Sequence, residues 1–353
     1  MTDAFRAMMR EVFQRYPHGM RVVAESYTTP VGLTPKDVIW TLNKARLYRY
    51  RRATPPTQRL PLLLVYALIN KPYIFDLRPS RSFVEYLLAQ GFDVYLLDWG
   101  VPGPEDKHLR FDHYVGEYVP RAVRKMLRVS GASAFNLIGY CIGATITAMF
   151  AAAYPAAPIR NLALLTAPLD FSNRRDSIFS IWFDEHYFDV DRLVDYFGNL
   201  PAEIIETWSK MLKPVENYVG AYTSLWEKLE DETAVDGWQA MHRWVHDGVP
   251  MAGEAFRQWV KDFVRANKLV RGELTIQGQP VRLSNIRVPL LNVVAQYDHI
   301  VPLSQSVSVM ELVSSTDKRL EKIPAGHVGI MSGRGAQRGL WPMMTQWLSE
   351  RSG

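Results

Sequence analysis

Short apolar runs alternate with longer amphipathic patterns along most of the chain. The runs at 60–67, 94–98, 135–138 and 162–166 are too short for core helices and predict strands. Similar runs return at 288–295 and 319–323, and a last helical pattern covers 343–350. Strands that alternate with helices are typical of an α/β fold. The pattern therefore predicts an α/β core formed by residues 46–170 and 286–353.

The remaining two regions are predicted to be helical. Residues 1–45 form an N-terminal helical segment in this interpretation, because apolar residues recur there at near-helical spacing (Phe5, Met8, Met9, Val12, Phe13 and Tyr16). A helix packed on its own domain and a partner site explain that face equally well. Between 171 and 285 the strand signal fades, and six of the ten tryptophans fall there: Trp182, Trp208, Trp226, Trp238, Trp244 and Trp259. We expect a cap insertion that forms an apolar lid or a product channel.

Composition narrows the possible classes of protein. The chain has 353 residues, of which 48% are hydrophobic, enough for a large core. A single cysteine excludes an intrachain disulfide and suits a reducing cytoplasm. No apolar run has the length of a membrane span, and no signal peptide is expected. The net charge of +5 suits phosphate-bearing ligands, but no basic run with interleaved aromatic residues suggests nucleic acid.

The single cysteine lies in a motif that carries chemistry. Cys141 is the centre of Gly139-Tyr140-Cys141-Ile142-Gly143, a G-x-C-x-G pentapeptide between a predicted strand and an alanine-rich predicted helix. This is the context of a nucleophile elbow, with sulfur in place of the usual serine oxygen. The positive, N-terminal end of the dipole of this predicted helix favours the thiolate form of Cys141. A buried cysteine that acts as a small hydrophobe is the alternative, but the motif and its context favour a nucleophile.

A cysteine nucleophile needs a base and a group that orients the base. Asp298 follows the predicted strand 288–295, and His327 follows the predicted strand 319–323. The order Cys, Asp, His is the nucleophile–acid–base order of the α/β-hydrolase fold. The sequence therefore predicts a Cys141–His327–Asp298 triad on an α/β-hydrolase fold with a helical, Trp-rich cap insertion.

The other histidines carry weaker signals. His299 adjoins Asp298, so it is a possible secondary site residue or equally a turn residue. His242 and His246 are four residues apart, which can suit a metal, but the H-E-x-x-H pattern is absent and helix packing is favoured. No metal site and no cofactor are expected.

Several segments resemble one enzyme family closely. They are VGLTPK at 31–36, LYRY at 47–50, VYALINKPY at 65–73, DVYLLDWG at 93–100, the elbow, DYFGN at 195–199, GEAFRQW at 253–259 and the Asp298-His299 pair. They are similar to the catalytic subunit of two-subunit poly(3-hydroxyalkanoate) synthases, most of all to the Bacillus-like class IV enzymes, with class III next. The chain has Ala144 where the family commonly has glycine. A methyl group at this position bears on the packing of strand against helix and hence on the geometry of the elbow.

The resemblance implies an acyltransferase that polymerises 3-hydroxyacyl-CoA, with 3-hydroxybutyryl-CoA as the expected short-chain substrate. Cys141 would take the acyl group and release coenzyme A, and His327 would deprotonate the next hydroxyl. Backbone N–H groups of Ile142 and, after the first core strand, around Ile69 would form the oxyanion hole. The resemblance also implies a small second subunit, homodimer contacts, and a cytoplasmic location at the surface of polyester granules. The alternative is a thiol-dependent hydrolase, either an esterase or depolymerase or a small acyltransferase, which would use the same triad.

Overall fold

The computed structural model describes the backbone of residues 3–352 and the side chains of residues 13 and 15–352. The amphipathic positions Phe5, Met8, Met9 and Val12 lie outside the described side chains. The strands are β1 Lys36–Leu42, β2 Ala45–Tyr50, β3 Leu62–Val65, β4 Val94–Asp98, β5 Phe135–Tyr140, β6 Ile159–Leu165, β7 Leu274–Ile276, β8 Gln279–Val281, β9 Leu290–Ala295 and β10 Lys318–Ile323.

The helices cover both faces of the sheet and fill the region between β6 and β9. They are α1 Asp3–Ser26, α2 Phe83–Ala89, α3 Phe111–His113, α4 Val119–Ser130, α5 Ile142–Ala153, α6 Ile178–Trp182, α7 Val190–Phe197, α8 Ala202–Met211, α9 Ala221–Glu227, α10 Glu232–His246, α11 Gly253–Gln258, α12 Lys268–Arg271, α13 Leu303–Val307, α14 Val309–Leu312, α15 Gly329–Ser332 and α16 Trp341–Arg351. Within residues 3–352, no helix is both long and apolar enough to cross a membrane.

Eight strands form one sheet in the order β1-β2-β4-β3-β5-β6-β9-β10. Pairing is antiparallel at β1/β2 and β2/β4 and parallel from β4 to β10. Every residue of β3, β5 and β9 is buried, as expected for parallel strands covered on both faces. The carboxyl ends of these strands meet at one edge of the sheet, where ligands bind in open α/β folds. The predicted α/β-hydrolase core is confirmed.

Helix α5 lies at the centre of the core. All twelve of its residues are buried, and it is apolar on all sides, as a fully enclosed helix requires. It follows β5 directly and packs against β5 and β6. The tight connection between β5 and α5 is what places Cys141 at the carboxyl edge of the sheet.

The prediction of a helical segment over residues 1–45 is wrong for its second half. Helix α1 ends at Ser26, and Lys36–Leu42 forms strand β1, which pairs with β2 at the edge of the sheet. An edge strand is half exposed, so its apolar residues show no clear alternation, and the sequence pattern missed it. Helix α1 itself packs on the 171–285 region, where Val22 joins Leu225 and Leu229 in a small apolar cluster.

The segment between β6 and β9 consists mainly of short helices, together with the separate β7–β8 hairpin. From Gly253 onward the chain forms α11, a π-helical turn over Trp259–Arg265 and α12. The division at residues 171 and 285 into a core and a cap stays a prediction, although this segment does supply much of the wall above the site described next.

Candidate active site

Cys141 occupies a strained turn between β5 and α5. Its φ of 57° and ψ of −130° lie outside the ordinary regions for a residue with a side chain. Backbone strain of this kind is typical of a nucleophile elbow and persists only where the surroundings enforce it. The thiol is buried, with 6% of the residue exposed. The strained turn therefore lies at the residue that the sequence predicts as the nucleophile, and the catalytic role of Cys141 stays a prediction.

The two glycines of the pentapeptide allow strand and helix to approach each other. A Cβ atom at Gly143 would lie 2.4 Å from the carbonyl oxygen of Val65, at the end of β3, and one at Gly139 would lie 2.2 Å from Thr147 Oγ1. Neither position has room for a side chain. Ala144, the departure from the expected family pattern, is fully buried and its N–H donates to the Cys141 carbonyl at 2.8 Å. The first turn of α5 therefore forms with alanine at this position.

Asp298 and His327 meet as the sequence predicts. His327 Nδ1 lies 2.7 Å from Asp298 Oδ2, and the Asp298 side chain is fully enclosed. The other carboxylate oxygen, Oδ1, accepts N–H bonds from Ile300 at 2.9 Å and Val301 at 2.8 Å. The carboxylate is thus fixed by its own loop, and it fixes the imidazole in turn. Nε2 of His327 remains for a partner on the other side of the ring.

The charges around His327 favour its protonated form. Burial lowers the pKa of the imidazole, but the Asp298 carboxylate, which also accepts the imidazole's hydrogen bond, and the neighbouring Cys141 outweigh burial. Together they raise the pKa of His327 from 6.5 to about 10. Cys141 therefore lies close enough to the imidazole to act on its pKa.

Tyr140 also contacts the imidazole, a role that the sequence interpretation missed. Its ring stacks on His327 with centroids 5.4 Å apart, and its hydroxyl donates to the His327 carbonyl oxygen at 2.8 Å. Tyr140 is the second residue of the elbow pentapeptide, so its place beside Cys141 was readable, but its contact with a residue 187 positions away was not. Tyr140 fixes the loop that carries the base.

Cys141 and His327 open into a cavity of about 410 Å³. Aromatic side chains from the 171–285 region form much of its wall, among them Phe179, Phe183, Trp208, Trp244 and Trp259. Three of the six tryptophans expected in a lid therefore line the site. Tyr66 and Ile142 complete the wall near the sulfur. The cavity is predominantly apolar, with a few polar residues among its lining.

The remaining predicted site residues fall in different places. His299 lines the cavity, and burial, followed by the charge of Lys213, lowers its pKa. Ile142 and Ile69 line it as well, and Ile142 is the first residue of α5, whose N–H has no partner within the helix. Their part in an oxyanion hole stays a prediction. Trp99, from the segment 93–100 that resembles the family, is not among the residues that line the cavity. Its indole N–H donates to the Tyr66 carbonyl at 2.9 Å, and its ring packs against Tyr114.

His242 and His246 belong to a hydrogen-bonded cluster. Nδ1 of His242 lies 2.8 Å from Ser26 Oγ, and His246 donates from Nδ1 to the His242 carbonyl at 2.8 Å. Nε2 of His246 lies 3.1 Å from Lys210 Nζ, a cation that no metal ligand would face. Across the described residues, no group of three or more His, Cys, Asp or Glu side chains is placed to hold a metal ion.

Comparison with known proteins agrees with the fold. Residues 61–333 match the α/β-hydrolase fold family, and residues 26–87 match the N-terminal region of poly-β-hydroxybutyrate polymerase, PhaC. Among solved structures, an epoxide hydrolase from Bacillus megaterium superposes with a TM-score of 0.53 at 13% identity, covering 88% of this chain and 99% of that one. At that identity the likeness shows the fold alone.

The sequence relatives are more specific. Poly(3-hydroxyalkanoate) polymerase subunit PhaC of Haloferax mediterranei is 40% identical over 322 residues, which cover 91% of this chain but only 65% of that protein. The protein of the same name from Allochromatium vinosum is 35% identical over 351 residues, covering 99% of this chain and 98% of its own length. The resemblance to poly(3-hydroxyalkanoate) synthases and the fold are confirmed, whereas the ranking of class IV before class III stays a prediction. The chain belongs to the PhaC family of poly(3-hydroxyalkanoate) polymerases.

Proposed function

We propose that this chain is the catalytic subunit of a polyhydroxyalkanoate synthase that polymerises (R)-3-hydroxyacyl-CoA through an acyl group carried on Cys141. The observation that supports it best is the elbow cysteine near an Asp298-bound His327, with both residues lining a largely apolar cavity. Membership of the PhaC family supplies the reaction class. The expected substrate is short-chain, with 3-hydroxybutyryl-CoA as the first to test.

Acylation uses the proton that His327 holds. The Cys141 thiolate attacks the thioester carbonyl of 3-hydroxyacyl-CoA, and the new C–S bond forms as the bond to coenzyme A breaks. The leaving sulfur takes the His327 proton, so free coenzyme A departs as a neutral thiol. The N–H of Ile142, with a second N–H near Ile69, would hold the transient oxyanion. After this step Cys141 is a neutral thioester and His327 is neutral.

The loss of charge on Cys141 prepares the second step. One of the two charges that raise the pKa of His327 disappears when the sulfur is acylated, so the imidazole becomes able to act as a base. It takes the proton from the 3-hydroxyl of an incoming monomer, whose oxygen attacks the acyl group on Cys141. An ester forms, the Cys141 thiolate leaves, and the lengthened chain is held as a CoA thioester. That thioester acylates Cys141 again, with release of one coenzyme A per cycle.

A hydrolase would run the same first step and let water attack the intermediate. The dense aromatic wall over the sulfur supports exclusion of water and hence transfer to a hydroxyacyl alcohol. Under the proposal the enzyme works with a small second subunit of class IV or class III type, forms homodimer contacts, and acts in the cytoplasm at the surface of polyester granules. It needs no cofactor besides the coenzyme A of its substrate.

Incubation of the purified chain with 3-hydroxybutyryl-CoA, with and without a candidate second subunit, tests the proposal. Polymer together with free coenzyme A is the expected result. Monomeric 3-hydroxybutyrate with free coenzyme A would mean that the protein is a thioesterase. No release of coenzyme A under either condition would exclude catalysis on this substrate.

A further inference from the structure

A second cavity, of about 350 Å³, adjoins the catalytic one. Its lining consists of Ile181, Trp182, Phe183, Tyr187, Phe188 and Trp208. All six side chains are aliphatic or aromatic, and none carries a charge. Such a surface binds an uncharged, apolar group and offers nothing to a phosphate or a free carboxylate.

Two side chains belong to both cavities. Phe183 and Trp208 line the catalytic cavity and the second cavity alike. Their ring centroids lie 5.5 Å apart, and each ring also contacts Phe256, which lines the catalytic side. The partition between the two spaces is therefore made of aromatic side chains, and passage from one cavity to the other requires these side chains to move.

The far side of the second cavity reaches the surface of the protein. Tyr187 is 87% exposed and Ile181 is 54% exposed, although both are apolar. The loop between Phe183 and Phe188 is held in place, since Arg265 donates to the carbonyl oxygen of each of these residues. The second cavity is thus an open apolar groove, with an aromatic partition on one side and an exposed apolar rim on the other.

The polar residues of the catalytic cavity lie apart from the aromatic partition, around His299. Lys213 and Glu216 are close enough to His299 to act on its pKa, and Asn217 donates to the Lys210 carbonyl at 3.0 Å. His299, Lys210 and Asn217 all line the catalytic cavity. Glu206, which also lines the cavity, pairs with Lys210, so this group is polar and of mixed charge and suits the polar part of an acyl-CoA better than its acyl part. The aromatic partition suits the acyl part and the ester chain.

A polymerase whose chain stays at one cysteine has to move the product out of a finite cavity while acyl-CoA continues to enter. We propose that the growing polyester leaves past Phe183 and Trp208 and binds along the groove lined by Ile181, Trp182, Tyr187 and Phe188. The proposal rests on the polymerase function argued above. The polyester repeat carries no charge, which matches the groove, and the exposed rim then delivers the chain to the apolar product phase outside.

The test places two charges on the rim without touching the catalytic cavity. The double variant Ile181→Lys with Tyr187→Lys changes exposed residues that line only the outer cavity. The control is Leu33→Lys with Val38→Lys, which adds the same charge at positions 53% and 51% exposed and outside both cavities. Coenzyme A release in the first turnover from 3-hydroxybutyryl-CoA reports acylation, and polymer length by size-exclusion chromatography reports elongation.

The rim variant should acylate at the wild-type rate but make polymer that is several-fold shorter, while the control makes polymer of wild-type length. Unchanged polymer length in the rim variant would overturn the exit along the groove, and so would an equal loss of acylation and length. A parallel change in oligomeric state would overturn it as well, because the rim would then be a contact between subunits. Failure of the wild-type chain to release coenzyme A would instead refute the polymerase function itself.

Discussion

Replacing Asp298 by asparagine removes the negative charge that helps to keep His327 protonated. The carboxylate accepts the His327 Nδ1–H at 2.7 Å and is fully enclosed, so water cannot replace it. A hydrogen bond to a charged group contributes about 1.5–3 kcal/mol, or roughly tenfold to 150-fold in rate at about 1.4 kcal/mol per tenfold. An amide NH2 facing Nδ1 also favours the wrong tautomer, and the same change in a serine triad costs about 10⁴-fold. We expect acylation to slow by about 10² to 10⁴-fold.

The pH dependence of acylation shows in which direction the loss of the Asp298 charge acts. The raised pKa of His327 means that the imidazolium needed for acylation is present at neutral pH and is lost as pH rises through about 10. Without the Asp298 charge, the pKa of His327 falls, so the alkaline limb of the acylation profile should move to lower pH. The measurement is single-turnover release of coenzyme A across pH in the wild-type and Asp298→Asn proteins. It gives both the acylation rate and the pH at which the alkaline limb falls.

Asp298→Asn should slow acylation and elongation by a similar factor. Asp298 is absent from the lining of the catalytic cavity, whereas His299, Ile300 and Val301 of its loop are part of it. We therefore expect Asp298 to act through His327 rather than on the incoming hydroxyl. Elongation slowed far more than acylation, or an alkaline limb that stays where it is in the variant, would refute this reasoning. Thermal unfolding of the variant serves as the check on its fold.

Further predictions concern the elbow and the number of thiols. Cys141→Ser should fold normally but lose nearly all polymerisation. One equivalent of an alkylating reagent should inactivate the wild-type chain, and stoichiometric labelling with full activity would exclude Cys141 as the nucleophile. Gly143→Ala places a methyl 2.4 Å from the Val65 carbonyl and should destabilise the fold by about 1–3 kcal/mol in denaturant unfolding, whereas Gly335→Ala, with nothing within 4 Å, should be nearly neutral. In mixed oligomers with Cys141→Ala subunits, activity should follow the wild-type fraction; a fall with its square would require paired thiols.

The triad was readable from the sequence because each member follows a strand of one parallel sheet. Cys141 follows β5, Asp298 follows β9 and His327 follows β10, and parallel strands bring their carboxyl ends to the same edge. The local order of strand, turn and next element was therefore enough to predict a meeting of residues 29 and 186 positions apart (327 − 298 and 327 − 141).

Contacts that depend on long-range packing could not be predicted from the sequence. Strand β1 was predicted as part of a helical segment, because an edge strand in partial contact with solvent has no strict alternation of apolar residues. The stacking of Tyr140 on His327 depends on rotamers and on the approach of two loops. Which tryptophans of the 171–285 region face the cavity depends on how the short helices turn relative to the core. Trp208, Trp244 and Trp259 do, whereas Trp238 stacks on His242.

The measurement that tests the central claim most directly is the mass of the peptide that contains Cys141, taken from a polymerising reaction stopped with acid. Acid preserves a thioester, and Cys141 is the only cysteine of the chain. The account predicts that this peptide carries one or more 3-hydroxybutyryl units, and that the adduct is strongly reduced in the His327→Ala variant. Polymer accumulating while Cys141 stays unmodified at every time point would contradict it.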